Sequence, residues 1–221
     1  GSFDNFKSYK CGHVEQSTLN KASKKNHETV YNLLRGLLNI QPSKIYSDND
    51  LFLYMRSGDL FGNKCTNIEF KGTDQTLVGK VDDRPQPPLD FYVKVIESKS
   101  WENIYIICED SSNPNVNELI KKYPKIIYNK QSLEKDIEMI LGAVNVTHYN
   151  GNFIDTLYLF SDTLKTFYCF DHHFQNDYKK GYTSMRYNAG DYYKSMGKWK
   201  VSKEQLKLMI TYKIPDIVEV K

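Results

Sequence analysis

No apolar run in the chain approaches the roughly 18 residues that a transmembrane helix needs, which excludes a helical membrane span on sequence grounds. No secretory leader is visible either, so the expected setting is the cytoplasm with no membrane partner. Cysteine is scarce, and its four copies (Cys11, Cys65, Cys108, Cys169) share no Cys-x-x-Cys spacing. Cys108 and Cys169 close apolar strand candidates, where cysteine acts as a small buried hydrophobe, and all four are expected to be reduced. A charge excess of one sign is also missing. Against 30 Lys+Arg stand 27 Asp+Glu, so nothing marks the whole surface for a polyanion. Neither glycine-rich phosphate fingerprint occurs, GxGxxG or GxxxxGK[ST], so a dinucleotide loop and a Walker loop are both excluded. Internal repeats and low-complexity tracts are absent.

What remains is 221 residues with balanced charge and 14% aromatics, 17 of them tyrosine. That length fits one domain with a substantial core. Gly1-Ser2 reads as a tag remnant, so an excised piece of a longer polypeptide is expected. Residues 1–48 read as an irregular lead-in and a first helix, from about 27 to 39. Residues 62–86 read as a long loop, and loops of that length tend to be functional. Between 49 and 171, short apolar runs alternate with helical patterns. The runs lie near 51–55, 103–108, 125–128, 143–148 and 166–170, and each ends in polar or glycine residues. This predicts an α/β fold with a doubly wound, mainly parallel five-stranded sheet. Residues 172–221 read as an aromatic-rich tail with a C-terminal helix packed on the same domain.

The strand ends gather the chemistry. Leu51 to Met55 breaks into Arg56-Ser57-Gly58-Asp59, which delivers a cation, a permissive glycine and a carboxylate to the carboxyl edge of the sheet. Arginine suits a phosphate because its planar fork donates two parallel hydrogen bonds and stays charged. Glu109 and Asp110 follow the second run. Asn150-Gly151-Asn152-Phe153 follows the fourth and opens a helix, whose free N–H groups and dipole attract anions. An arginine after one strand and a helix N-terminus after another could clamp a diphosphate.

These residues also resemble a known family. Tyr54-Met55-Arg56-Ser57-Gly58-Asp59 is similar to the His-x-Arg-x-Gly-Asp motif of α1,2-/α1,6-fucosyltransferase-type glycosyltransferases. Gln86-Pro87-Pro88-Leu89-Asp90-Phe91-Tyr92, Glu109-Asp110 with Asn113-Pro114, and Gln131-Ser132-Leu133 with Asp136 resemble stretches of its eukaryotic and large-virus members. So does Trp199 with the helix at 204–209. The resemblance implies the Rossmann-like, donor-binding half of a GT-B enzyme that transfers L-fucose or L-rhamnose from a UDP- or GDP-linked donor to a glycan acceptor. It also implies a chain without most of the amino-terminal, acceptor-holding half, such as a rhamnosyltransferase domain of a larger viral glycan-building enzyme with neighbouring domains. Tyr54 stands where the family has histidine. By resemblance Arg56 grips the β-phosphate. Asp59 is the preferred base on geometry, with Glu69 in the following loop as its substitute. No metal cofactor is expected, because no well-placed Asp-x-Asp occurs and Arg56 with a helix N-terminus carries the diphosphate charge. The implied donor-binding set is Tyr54, Arg56, Ser57, Gly58, Glu109, Asp110, Ser132, Asp136, Asn150, Gly151, Asn152 and Phe153.

Three rival readings carry less. Asp48-Asn49-Asp50 fits a metal-binding Asp-x-Asp but precedes its strand rather than ending it. Asp171-His172-His173 matches the core of DHH phosphoesterases, yet the companion aspartate motifs are missing, so a solvated strand-end cluster is expected. His13, His27 and His148 are read as isolated histidines. The tyrosine- and lysine-rich tail would suit a module for single-stranded nucleic acid or a protein partner. It also carries Asp177, Asp191 and Glu204, against the strongly basic habit of such binders.

Overall fold

Leu51, Phe52, Leu53 and Met55 are each at most 1% exposed, so the apolar run that forms β1 (Asp50–Tyr54) is covered on both faces. The computed structural model describes residues 36, 41–61, 85–149, 151–172 and 181–221, without the side chains of Asp59, Asn152 and Leu159. The expected helix at 27–39, apart from helical Gly36, and most of the loop at 62–86 lie outside these residues. The chain divides after Ile40, and all that follows concerns the unit from Gln41 to Lys221.

After β1 come a 3-10 turn (Gly58–Leu60), α1 (Leu89–Glu97), β2 (Asn103–Ile107), α2 (Pro114–Lys122) and β3 (Ile126–Ile127). Then follow α3 (Leu133–Gly142), β4 (Asn145–His148), α4 (Asn152–Phe160), β5 (Thr166–Phe170) and β6 (Thr183–Tyr187). The chain ends with α5 (Tyr192–Met196), α6 (Lys203–Thr211) and β7 (Val218–Val220). The sheet runs β3-β2-β1-β4-β5-β6-β7. All neighbours pair in parallel except β6 and β7. An α/β fold with a mostly parallel sheet is therefore as expected, and the order is consistent with a Rossmann-like sheet. The strand count is not: among the described residues the sheet has seven strands where five were expected. β6 and β7 come from the supposed tail. The sequence Thr183-Ser184-Met185-Arg186-Tyr187 has no apolar run to announce a strand, and β7 is an exposed antiparallel edge.

Side-chain alternation explains the two layers. Leu51, Leu53, Ile104, Ile106, Tyr168 and Phe170 point to one face, with α1, α2 and α6 (Phe91, Val95, Val116, Leu119, Met209). Phe52, Ile107, Val146, Phe167 and Cys169 point to the other, with Ile140 of α3 and Ile154, Leu157 and Tyr158 of α4. Each such fully buried side chain contributes about 1.5–3 kcal/mol, so both layers are strongly held. Starts and stops follow from caps. Asn113 accepts from Asn115 N–H with Pro114 in the first turn, Ser132 accepts from Lys135 N–H, and Ser202 with Gln205 forms a capping box on α6.

The segment after 181 completes the core rather than trailing from it. Tyr187, Tyr192 and Trp199 are buried. Trp199 Nε1 donates to the Leu60 carbonyl at 3.3 Å, and Tyr192 OH to the Gln86 carbonyl at 2.7 Å. With Tyr149 OH on the Pro85 carbonyl and Asn115 Nδ2 on the Pro87 carbonyl, these contacts fix 85–88 inside the fold. Rings packed this way offer no face for stacking a base.

Candidate active site

Crossovers from β1 run toward β3, and those from β4 run toward β6, so the connections leaving β1 and β4 diverge. At such a switch point a crevice opens beyond the carboxyl ends of the strands. A cleft of about 780 Å³ lies there. One wall is Tyr54, Met55, Arg56 and Ser57 after β1, continued by Ile107, Cys108 and Glu109 after β2. The opposite wall is the start of α3 (Lys130, Gln131, Leu133, Asp136) with Gly151 and Phe153 at the start of α4.

The two strand-end loops are stitched together by polar contacts. Ser57 Oγ accepts from Asp110 N–H at 3.0 Å. Gly58 N–H donates to Ser112 Oγ at 2.8 Å and Asp110 Oδ1 at 3.1 Å. Asn113 Nδ2 donates to the Arg56 carbonyl at 2.9 Å. Gly58 has φ +60°, a backbone conformation that favours glycine, and a Cβ there would meet Glu109 Oε2 at 2.2 Å and push that carboxylate aside. These contacts hold the Arg56 backbone at the rim.

Electrostatics divide the cleft. Arg56 and Lys130 bring positive charge, and Glu109 and Asp136 bring negative. Burial raises the Asp136 pKa above the usual carboxylate range, while the hydrogen bond from Gln131 Nε2 at 2.8 Å pulls the other way. Burial pushes the Tyr54 phenol up to about 12, so where the resembling family has a titratable imidazole this chain has a neutral hydroxyl. Burial likewise pushes the Cys108 thiol up to about 12, which removes it as a nucleophile at neutral pH. Among the described residues no side chain caps α4 at Gly151, as at α1 and α5 but unlike α2, α3 and α6, and this start lies at the cleft. The apolar lining (Met55, Ile107, Leu133, Ile140, Phe153) could take a base or a sugar face.

Of the expected site residues, Tyr54, Arg56, Ser57, Glu109, Asp136, Gly151 and Phe153 come together. Three have structural jobs instead. The Gly58 N–H is already spent on Asp110 and Ser112, so it does not serve a phosphate. Hydrogen bonds from Ser112 hold the Asp110 carboxyl below its usual value, and Asp110 joins the two loops rather than lining the cleft. Ser132 caps α3. Asp59 sits in the 3-10 turn, with its side chain outside the described residues. Glu69, Asn150 and the side chain of Asn152 also lie outside them. Lys130 and Gln131 join the cleft from the segment between β3 and α3, and Lys130 was missed although it follows the expected run at 125–128.

The rival motifs fall elsewhere. Asp50 is buried at the start of β1, where it accepts from Ser47 N–H and Asn103 Nδ2, and Asp48 pairs with Lys165. Both sit at the amino edge of the sheet, away from the cleft. Asp171 binds Arg186 and the Ala189 N–H, and His173 lies outside the described residues. His172 departs from the solvated cluster expected of it. It is half-buried against His148, at 2.8 Å between ring nitrogens, so His148 is not isolated either. No helix among the described residues is long and apolar enough to cross a membrane. No model of a known protein family matches the chain, and no curated protein matches it.

Proposed function

We propose that the chain is the donor-binding half of a GT-B-type glycosyltransferase, moving L-fucose or L-rhamnose from a UDP- or GDP-linked donor to a hydroxyl of a glycan. The observation that supports this most is the switch-point cleft, with Arg56 on one wall and the uncapped start of α4 on the other. Its size is within the roughly 300–1,000 Å³ of small-molecule sites. A diphosphate across the cleft would meet a guanidinium from one side and helix N–H groups from the other.

In the proposed reaction the bond between the sugar C1 and the β-phosphate oxygen breaks, and its electron pair leaves on the nucleoside diphosphate. The acceptor oxygen forms the new bond to C1 from the opposite face, and its proton passes to a carboxylate. Charge on the leaving phosphate grows as the bond stretches, so Arg56 and the α4 amides act most strongly on the transition state. No metal ion is required in this scheme. Asp59 is the expected base and Glu69 its substitute; Glu109 and Asp136 are the carboxylates whose places on the cleft walls are described. The acceptor is held by a neighbouring domain.

Thermal unfolding in the presence of UDP, GDP and their 6-deoxy-hexose conjugates tests the reading. A nucleotide at 100 times its Kd adds about 2.7 kcal/mol, and that gain should vanish in Arg56→Ala. No protection by any of them at millimolar concentration overturns the proposal. Asp59→Asn, Glu69→Gln and Glu109→Gln compared side by side identify the base as the variant that keeps donor affinity and loses transfer.

A further inference from the structure

Behind the start of α4, the fold gathers three ligating side chains from the ends of two neighbouring strands. We infer that His148, Cys169 and His172 form a binding site for a divalent transition-metal ion of the zinc class. The argument begins with hydrogen bookkeeping. His172 Nδ1 lies 2.7 Å from the Phe170 carbonyl oxygen, which only accepts, so Nδ1 carries the hydrogen and Nε2 keeps its lone pair. His148 Nε2 faces the Asp155 carboxylate, also an acceptor, so in a neutral ring His148 Nδ1 keeps its lone pair. These two lone-pair nitrogens face each other at 2.8 Å. Three contacts need three bridging cations or hydrogens, and two neutral rings supply two.

A shared proton fills the gap using the rings alone. A metal ion fills it and also engages the thiol, which the strand register brings alongside, since Cys169 is the pairing partner of His148. The two histidines and Cys169 each offer a ligand atom, all within 4.8 Å of one another. Zinc bonds of about 2.0–2.1 Å to nitrogen and 2.3 Å to sulfur place tetrahedral donors about 3.3–3.6 Å apart. To reach that spacing the two ring nitrogens, at 2.8 Å, part by about half an ångström, and the Cys169 sulfur, within 4.8 Å of them, closes in by up to about 1.2 Å. Mixed nitrogen and sulfur donors select a borderline-soft ion over magnesium or calcium. The outer contacts fit as well: a carboxylate on one imidazole and a backbone carbonyl on the other orient the rings so that His148 Nδ1 and His172 Nε2 face each other. Charge balances, with two positive charges set against the Cys169 thiolate and the Asp155 carboxylate. His148 and Cys169 are buried and His172 is half-buried, so a water could complete the site from that side.

None of the three ligands lines the cleft, so the ion takes no part in the proposed displacement. Asp155 lies in the first turn of α4, and the ion would tie that turn to β4 and β5. Elemental analysis of the full chain, free of any histidine tag, is the first test and should find about one zinc per chain after exhaustive dialysis. Cobalt reloading should give the intense visible bands of a tetrahedral site and a near-ultraviolet thiolate charge-transfer band. Cys169→Ser should remove the charge-transfer band, His172→Gln should lower the stoichiometry, and Asp155→Asn should weaken zinc by about 10–100-fold. Substoichiometric zinc in the wild type overturns the inference, as does a cobalt spectrum unchanged by both Cys169→Ser and His172→Gln. A strongly downfield imidazole proton that persists in saturating zinc also overturns it, because the bridge is then a proton. Nucleotide protection measured on wild type and Arg56→Ala reads the cleft alone, so either proposal can fail without the other.

Discussion

Replacing Asn113 by alanine removes two hydrogen bonds that hold different things. Its Oδ1 accepts from Asn115 N–H at 3.0 Å and starts α2, while its Nδ2 donates to the Arg56 carbonyl at 2.9 Å. The side chain is fully buried. Loss of the cap costs about 1 kcal/mol. Leaving the Arg56 carbonyl without its donor costs roughly 1–3 kcal/mol, toward the lower end because that contact is only part-buried. Asn113→Ala should therefore destabilise by about 2–3 kcal/mol, read as a lower urea midpoint at unchanged slope. Asn113→Ser keeps a capping oxygen but cannot reach Arg56, so it should cost about half as much. Asn113→Asp keeps the cap and sets a carboxylate against a carbonyl, so it should resemble alanine at neutral pH. The same variants should weaken nucleotide binding, because the Arg56 backbone loses an anchor. Ser202→Ala, which uncaps the distant α6, should cost about 1 kcal/mol and leave nucleotide affinity alone. An Asn113→Ala chain within about 0.5 kcal/mol of wild type, or one with unchanged nucleotide affinity, refutes the reasoning.

Arg56→Ala should lower transfer by on the order of 10²–10³-fold and weaken diphosphate binding, and Arg56→Lys should fall short of full rescue because a point charge makes no bidentate contact. Wild-type rates in the lysine variant, in a steady-state transfer assay, count against a bidentate grip. Gly58→Ala must carry a side chain at φ +60° and displace the Glu109 carboxylate, which together should cost roughly 1–3 kcal/mol in a denaturation curve; a fully stable variant contradicts the packing. Asp136 has a raised pKa, so its contribution to stability is present below its unfolded value and is lost as pH rises through the folded one. Asp136→Asn should flatten the acid-side pH dependence of unfolding and tighten diphosphate binding at neutral pH, and an unchanged pH profile argues against burial as the cause.

The parallel layers were legible because β1 and β5 are short, largely buried apolar runs, β2 carries Ile104, Ile106 and Ile107, and β4 continues the buried Ala143-Val144. The helix starts were legible because Asn113-Pro114, Ser132 and Ser202 are strong local signals. β6 was hidden by its composition: the alternation in Thr183 to Tyr187 carries an exposed threonine and a half-buried arginine, with no apolar run for a reader to follow. β3 shrank from an expected four residues to Ile126–Ile127, with Ile127 exposed, because it is the sheet edge and only its inner residues are covered. The tyrosines after 181 misled for a related reason. Scattered aromatics look like a surface in sequence, yet Tyr187, Tyr192 and Trp199 cover the sheet next to 85–88.

The site was most directly legible where residues follow a strand. Arg56, Ser57 and Glu109 could be placed at the carboxyl edge because β1 and β2 could be. What those residues do with their hydrogen bonds was not visible, since Gly58 N–H meets Asp110 and Ser112 more than 50 positions away. Glycine there is favoured by the φ of +60°. The histidine pair teaches the same lesson from the other side. His148 and His172 are 24 positions apart and meet because β4 and β5 are register-matched neighbours. Reading the ends of adjacent parallel strands against each other, rather than one at a time, would have placed Cys169 beside His148 and His172 just past it. A parallel sheet puts consecutive strand ends about 5 Å apart along one edge. Polar residues at those ends are therefore near neighbours by construction, and a cluster such as this one follows from topology before any contact is measured.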